Sequence, residues 1–338
     1  MRKYPGTVLS TRGSRLHAGY TEYVDTFGTS STWPSYLALL RSGELAARAG
    51  RAWARLRSCT LCPRRCAVDR LAGELGICQT GALARIASAG PHFGEESPLV
   101  GRGGSGTIFF AGCNLACVFC QNYDLSHFCR GREEEPARIA RMMLELQDGG
   151  CENVNFVSPS HVVPQILSAL VLAAEKGLRL PLVYNSGGYD ALATLRLLDG
   201  VVDIYMPDMK YADETVGLRL SGVPDYVRRN RAAVREMHRQ VGDLEAGERG
   251  VARRGLLVRH LVLPNGLSGT APVARFIASE LSPDSYVNVM AQYRPEYEAT
   301  SHTEISRPPS VAEYEAAVEA AMAAGLWRLD GHRVRPRL

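Results

Sequence analysis

The sequence predicts an α/β protein: a partial (β/α)6 TIM-type barrel with an N-terminal cysteine-rich extension. Three observations carry this. Short apolar, β-branched runs recur near 107–112, 153–158, 181–185, 201–206, 256–263 and 286–290. Between and after them lie amphipathic segments at 136–148, 162–176, 190–198, 225–240 and 270–281, with a last one at 311–324. Strands alternating with helical patterns of this length build βαβ units and a parallel sheet. Finally, 338 residues suffice for an α/β barrel of about 200–250 residues with extensions. The expected divisions are a helical and cysteine-rich extension over 1–100, the barrel over 101–300, and a C-terminal helix and tail over 301–338.

Taken in order, 35–57 is rich in Ala, Leu and Arg at helical spacing and predicts one helix. Four cysteines follow within twenty residues, Cys59, Cys62, Cys66 and Cys78. Gly101 to Gly106 formally matches G-x-G-x-x-G, but a dinucleotide fingerprint must follow a strand and open a helix. Here it precedes the strand Thr107–Ala111, so the match is rejected. The polar, Gly-containing stretch 241–255 predicts a loop.

An apolar fraction of 46% and a charged fraction of 22% are those of an ordinary globular protein. No apolar run approaches the roughly 18–20 residues that span a bilayer. The opening Met1 to Gly6 lacks an apolar secretory core, so a reducing cytoplasm is expected, where nine cysteines indicate metal or redox chemistry. The net charge of +4 is small and dispersed, which argues against nucleic-acid binding. Of 39 cationic residues only Lys3, Lys176 and Lys210 are lysine, and Lys210 stands at a strand end.

Directly after the first strand, Cys113, Cys117 and Cys120 are spaced C-x3-C-x2-C. Loops at the C-terminal ends of barrel strands form the active face, so three thiols converge there. An Fe–S cluster ordinarily takes four thiolates; three imply a distant fourth ligand or an iron open to a small molecule.

With Phe119 before the last cysteine, this segment resembles the defining motif of the radical S-adenosylmethionine (SAM) superfamily. The resemblance implies a [4Fe-4S] cluster on Cys113, Cys117 and Cys120, SAM chelated to the open iron, and a one-electron donor such as flavodoxin or ferredoxin. From about Cys59 onward the chain is similar to the pyruvate formate-lyase activating enzyme branch with extra N-terminal cysteines. Tyr184 to Tyr189 and Asp203 to Lys210 resemble its strand-three and strand-four segments, which places Asn185, Ser186, Asp208 and Lys210 near SAM or substrate. The branch's Gly-Gly-Glu is replaced by Ser158-Pro159-Ser160-His161, leaving Ser158 and Ser160 as expected contacts without a carboxylate's charge-assisted strength. His161 either lines the pocket or is packed. Gln292 and Tyr293 end strand six, where adenosyl contacts are expected.

Cys59, Cys62, Cys66 and Cys78 run C-x2-C-x3-C-x11-C, which suits an auxiliary [4Fe-4S] cluster, with zinc as the alternative. Of the two remaining thiols, Cys151 precedes strand two and belongs to the far face. Cys129 lies on the cluster side and is the expected hydrogen donor, with Tyr293 beside it and Tyr123 and Tyr189 as alternatives. The radical then serves either a small molecule, as in a sugar epimerisation or other redox-neutral isomerisation, or a protein partner, as in a glycyl-radical activase. The first resembles the radical SAM epimerases of avilamycin-type oligosaccharide antibiotic biosynthesis.

Overall fold

A computed structural model describes residues 33–333. Met1 to Gly6 and the end of the C-terminal tail therefore lie outside the described residues. In place of one helix over 35–57 there are two, α1 (Tyr36–Arg41) and α2 (Glu44–Ala54). Gly43 between them has φ +77°, a left-handed conformation that glycine adopts without steric cost and that ends a helix. The four-cysteine segment follows with only short 3-10 turns, Arg55–Ser58 and Arg70–Ala72.

The chain then runs β1 (Ala84–His92), α3 (Ser97–Val100), β2 (Ser105–Phe110), α4 (Tyr123–Ser126), β3 (Arg132–Glu134), α5 (Pro136–Asp148), β4 (Val154–Val157) and α6 (Val163–Glu175). It continues through β5 (Leu182–Ser186), α7 (Leu192–Leu195), β6 (Ile204–Pro207), α8 (Glu214–Ser221), α9 (Tyr226–Val241), β7 (Glu245–Ala246) and β8 (Ala252–Leu261). The last elements are α10 (Thr270–Phe276), β9 (Tyr286–Met290), α11 (Val311–Ala323), β10 (Arg328–Leu329) and β11 (His332–Arg333). Six strands, β2, β4, β5, β6, β8 and β9, pair in parallel and in chain order, which is the expected (β/α)6 arrangement.

Side chains of these strands alternate between two buried faces, as the pleat requires. Ile108, Phe110, Phe156, Tyr184, Tyr205, Val258 and Val289 join the main core under the helices. Val183, Ile204, Met206, Leu257 and Tyr286 point the other way and form a separate interior cluster with Leu99 of α3, so that short helix plugs the barrel.

Several elements correct the sequence reading. The 241–255 stretch is not a plain loop: β7 pairs antiparallel with the start of β8, and Gly250 makes the turn at φ +75°. Its polar composition hid a ladder that is satisfied by backbone alone. The 270–281 helix ends at Phe276 and passes into a π-helical turn, Ile277–Leu281. The antiparallel edge β1–β3 was not expected, because only Ala84 and Ile86 of β1 are buried and the apolar signal is weak. Helix α8 was also missed; the Asp213 carboxylate caps it by accepting from the Thr215 N–H at 2.7 Å. The rejected glycine fingerprint does precede β2. A Cβ on Gly103 would collide with the Gly150 backbone, so its glycine serves close packing of chain on chain.

Candidate functional site

The loop after β2 carries Cys113, Cys117 and Cys120, and each sulfur has a donor beside it. The Leu115 N–H donates to Cys113 Sγ at 3.4 Å and the Ser126 hydroxyl to Cys120 Sγ at 3.1 Å. Cys117 Sγ shares a 2.9 Å hydrogen bond with Ser221, which also pairs with the Tyr211 hydroxyl at 2.7 Å. Burial pushes the Cys113 thiol up to about 12 and that of Cys117 to about 11. Such thiols become thiolates when a metal takes the place of the proton. Hydrogen bonds to sulfur and nearby positive charge are the protein's means of tuning an Fe–S cluster. The donor set therefore fits the cluster that the motif implies. Phe119 is buried and packs edge-on against Tyr211 and Tyr293, which fixes the turn between the second and third cysteines.

Facing these thiols is an ion triad at the strand ends, its carboxylate buried and its two cations half-buried. Arg259 Nη2 lies 2.8 Å from Asp208 Oδ1, and Lys210 Nζ lies 2.5 Å from Asp208 Oδ2. Burial drives the Asp208 carboxyl upward, but Arg259 and then Lys210 more than offset it, and the group stands below its ordinary value. Lys210 is driven down by burial, yet Asp208 and then Cys117 hold it above its ordinary value. Asp208 and Lys210 thus meet in one place, as expected. Arg259 was missed, because an arginine in the middle of an apolar strand gives no local signal.

Deeper in the barrel Arg259 faces Glu95 and Glu96. The Asn288 amide donates to Glu96 Oε1 at 3.0 Å, and the Glu95 carboxyl lies against Arg259 and Asn155 and is pushed upward by burial. Glu96 is 6% exposed and Asn155 fully buried, and Glu96 Oε2 and Asn155 Oδ1 have no protein partner. None of these residues was foreseen. They come from β4, β8, β9 and the turn before α3, and only closure of the sheet brings them together.

The other expected contacts divide. Asn185 is buried at the end of β5 on the same face as Val183, toward the interior. Ser186 faces the opposite way and donates to buried Asp190 at 2.7 Å; Tyr184 donates to the same carboxylate at 2.9 Å, and Ser160 bonds to both. Ser158 sits in the left-handed region at φ +60°, its N–H donating to the Asn185 carbonyl at 2.9 Å. Gln292 is exposed, and its carbonyl accepts from Gln121, which ties the cluster loop to β9. Tyr293 is buried, and its hydroxyl donates to the Ile305 carbonyl at 2.6 Å. Cys129, at φ +50°, has its thiol 3.8 Å from the His127 carbonyl and beside Arg85 of the β1 edge. Cys151 is buried in the main core.

The N-terminal cysteines form a second locus. Cys59, Cys62, Cys66 and Cys78 line one small pocket with Arg64, Arg70, Asn114 and His161. Among the described residues no three His, Cys, Asp or Glu side chains are grouped closely enough to hold a single metal ion. Arg70 is 1% exposed and donates to the Gly81 carbonyl at 2.8 Å and the His161 carbonyl at 2.7 Å, with Cys59 Sγ 3.9 Å away. His161 is a packed residue: its Nε2 is 3.1 Å from the Ala111 carbonyl, and burial holds it down at about 4. The two loci touch. Gly112, at φ +83°, lies so close to the Cys78 carbonyl that any Cβ there would collide, and Arg64 Nε donates to the Asn114 carbonyl at 2.9 Å.

A parallel partial barrel whose first strand delivers three cysteines to the catalytic face defines a class of iron–sulfur enzymes. The chain belongs to the radical SAM superfamily, whose family model matches residues 107–243. That membership implies a [4Fe-4S] cluster and SAM. An uncharacterized protein of Methanocaldococcus jannaschii is 35% identical over 276 residues, 78% of this chain and 74% of that protein. Among solved structures, a radical SAM methyltransferase from Sphaerobacter thermophilus is 15% identical, with a TM-score of 0.45 over 65% of this chain and 64% of its own. SuiB from Streptococcus suis bound to precursor peptide SuiA is 14% identical, with a TM-score of 0.43 over 62% of this chain and 43% of its own. The chain thus spans less than two thirds of the length of either. No helix among the described residues is long and apolar enough to cross a membrane.

Proposed function

We propose that this enzyme abstracts a hydrogen atom from a small hydroxyl-rich molecule, a sugar or related polyol, and returns one in a redox-neutral epimerisation or isomerisation. When bound, the cluster and SAM supply one-electron reductive cleavage of the sulfonium to a 5'-deoxyadenosyl radical. Cys113, Cys117 and Cys120 would hold that cluster. Lys210 and Asp208 offer a cation and a carboxylate to the ends of SAM, with Asn185 beside them.

The polar interior of the barrel is the observation that carries the substrate class. Glu96 Oε2 and Asn155 Oδ1 are both acceptors without protein donors, and leaving such groups buried costs about 1–3 kcal/mol each. Hydroxyl groups of a ligand satisfy them. Cys129 is the proposed hydrogen donor, a half-buried thiol on a backbone in a conformation uncommon for non-glycine residues; its S–H gives a hydrogen atom to the substrate radical, and the thiyl left behind takes one electron from the one-electron donor and one proton from solvent. Tyr293 is less suited, because its O–H is committed to the Ile305 carbonyl.

The second locus is read as an auxiliary [4Fe-4S] site. The C-x2-C-x3-C-x11-C spacing, a compact three followed by one, supports that reading over zinc, which is more often held by two separated C-x2-C pairs.

The test is anaerobic incubation of reconstituted enzyme with SAM, dithionite and a panel of free and glycosidic sugars in deuterated water. Support would be solvent deuterium at one inverted carbon, lost in Cys129→Ala while deoxyadenosine still forms. A glycyl radical signal on an added glycyl-radical enzyme would refute the small-molecule reading.

A further inference from the structure

Two guanidinium groups stand at the four-cysteine pocket without a carboxylate. Arg70, 1% exposed, lines it together with Arg64. The Arg70 donors go to neutral oxygens: Nε and Nη2 to the Gly81 carbonyl at 2.9 and 2.8 Å, and Nη1 to the His161 carbonyl at 2.7 Å. The acidic side chains nearest in sequence are engaged elsewhere. Asp69 accepts from the Leu71 and Ala72 N–H groups, and Glu74 accepts from the Asp69 N–H at 2.7 Å. Arg64 donates to the Asn114 and Gly222 carbonyls, and its Nη2 is buried with no hydrogen-bond partner.

A guanidinium does not deprotonate in a protein, so its burial cannot be relieved by loss of the charge. A buried charge needs a counter-charge, and carbonyl dipoles replace it only in part. The lining offers a single source of negative charge: apart from the two arginines and the four cysteines it holds Asn114, His161, Gly76 and aliphatic side chains, none of them acidic. Arg70 Nη1 lies 3.9 Å from Cys59 Sγ, and its charge also acts on Cys78. Four thiolates carry more negative charge than the iron–sulfur core they hold carries positive, so the whole group is an anion, and reduction makes it more so. Net charge and contacts to sulfur are what set the potential of such a group.

We propose that Arg70, with Arg64 beside it, is the counter-charge of the auxiliary cluster and raises its reduction potential by favouring the reduced, more anionic form. The cluster takes one electron from a low-potential one-electron donor; no bond is made or broken, and no proton moves, because both arginines are already fully charged. Both are positioning residues that act on the cluster through sulfur and through space. The inference rests on the reading of the four cysteines as an auxiliary [4Fe-4S] site.

The test uses the full chain carrying Cys113→Ala/Cys117→Ala/Cys120→Ala, reconstituted anaerobically so that the second site alone can hold a cluster. Iron and sulfide analysis comes first. About four irons per chain uphold the cluster reading; none overturns that reading and the proposal with it. Redox titration followed by EPR then reads the potential. At a fixed applied potential the reduced-to-oxidised ratio should fall at least tenfold in Arg70→Gln, a shift of about 59 mV to more negative values for one electron. Arg64→Gln should move it in the same direction. Arg70→Lys, which keeps the charge, should stay within threefold of the parent, and Arg57→Gln, at an exposed arginine of the same segment, should change nothing. If Arg70→Gln does not retain iron, Arg64→Gln alone decides. A full complement of iron with the potential unmoved in the Gln variants at 64 and 70, or moved equally in Arg57→Gln, would overturn the counter-charge and leave the auxiliary cluster standing.

Discussion

Replacing Asp208 by Asn tests the ion triad. The substitution keeps the shape and one acceptor but removes the charge that holds Lys210 and Arg259, at 2.5 and 2.8 Å, on a carboxylate only 8% exposed. Two cations then face each other in the barrel interior. Breaking a buried pair by removing one partner costs about 3–5 kcal/mol, a large fraction of the roughly 5–15 kcal/mol that holds a domain folded. The sign with pH follows from the depressed Asp208 carboxyl. Its contribution is complete above the unfolded-state value near 3.8 and is lost as pH falls through the lower folded value. Urea denaturation of wild type and Asp208→Asn at neutral pH, with a double-mutant cycle through Lys210→Met, measures the coupling. Calorimetric titration with SAM reads the site. The expected result is a loss of several kcal/mol, partly restored in the double variant, with weakened SAM binding. A loss below about 1 kcal/mol with SAM affinity intact would refute both the energetic argument and the placement of SAM.

Two further predictions concern the junction and the core. Gly112→Ala should lower stability by more than the about 1–2 kcal/mol of left-handed strain, because its Cβ meets the Cys78 carbonyl, and should lower iron content. Gly150→Ala, at φ +80° with open space around it, should show the strain alone and keep its iron; equal iron retention in both would remove the claim that the two cysteine loops are packed as one unit. His260 is buried and held at about 4, with Nδ1 2.6 Å from the Met209 carbonyl and Nε2 2.9 Å from Thr270 Oγ1. Its folded value lies below the ordinary 6.5, so its contribution of about 3 kcal/mol is present above pH 6.5 and disappears as pH falls toward 4. His161 acts in the same direction. His260→Gln should flatten about half of that slope in pH-dependent melting; an unchanged slope would show that the ring is not carried neutral into the fold.

Much of this was legible locally. The six parallel strands fell where β-branched runs predict them, because strands buried on both faces must be apolar throughout. The Cys113, Cys117 and Cys120 motif was visible as spacing, since one loop supplies all three. The β1–β3 edge and α8 were not, the first having one weak apolar face and the second resting on a cap and tertiary packing. Ser160 and Ser186 show another limit. Their strand-end positions suggested ligand contact, but the pleat turns Ser186 outward to Asp190, and Ser160 joins the same carboxylate.

The sequence by itself determined the kind of chemistry, because cluster ligation depends on thiols a few residues apart and chain connectivity holds those in register. Only the tertiary structure decided what surrounds that chemistry. Arg259, Glu95, Glu96, Asn155 and Asn288 come from distant segments, and the Cys78 carbonyl meets Gly112 across more than thirty residues of chain. Strand closure and loop packing set these meetings, and no local pattern encodes a contact whose two halves are separately ordinary.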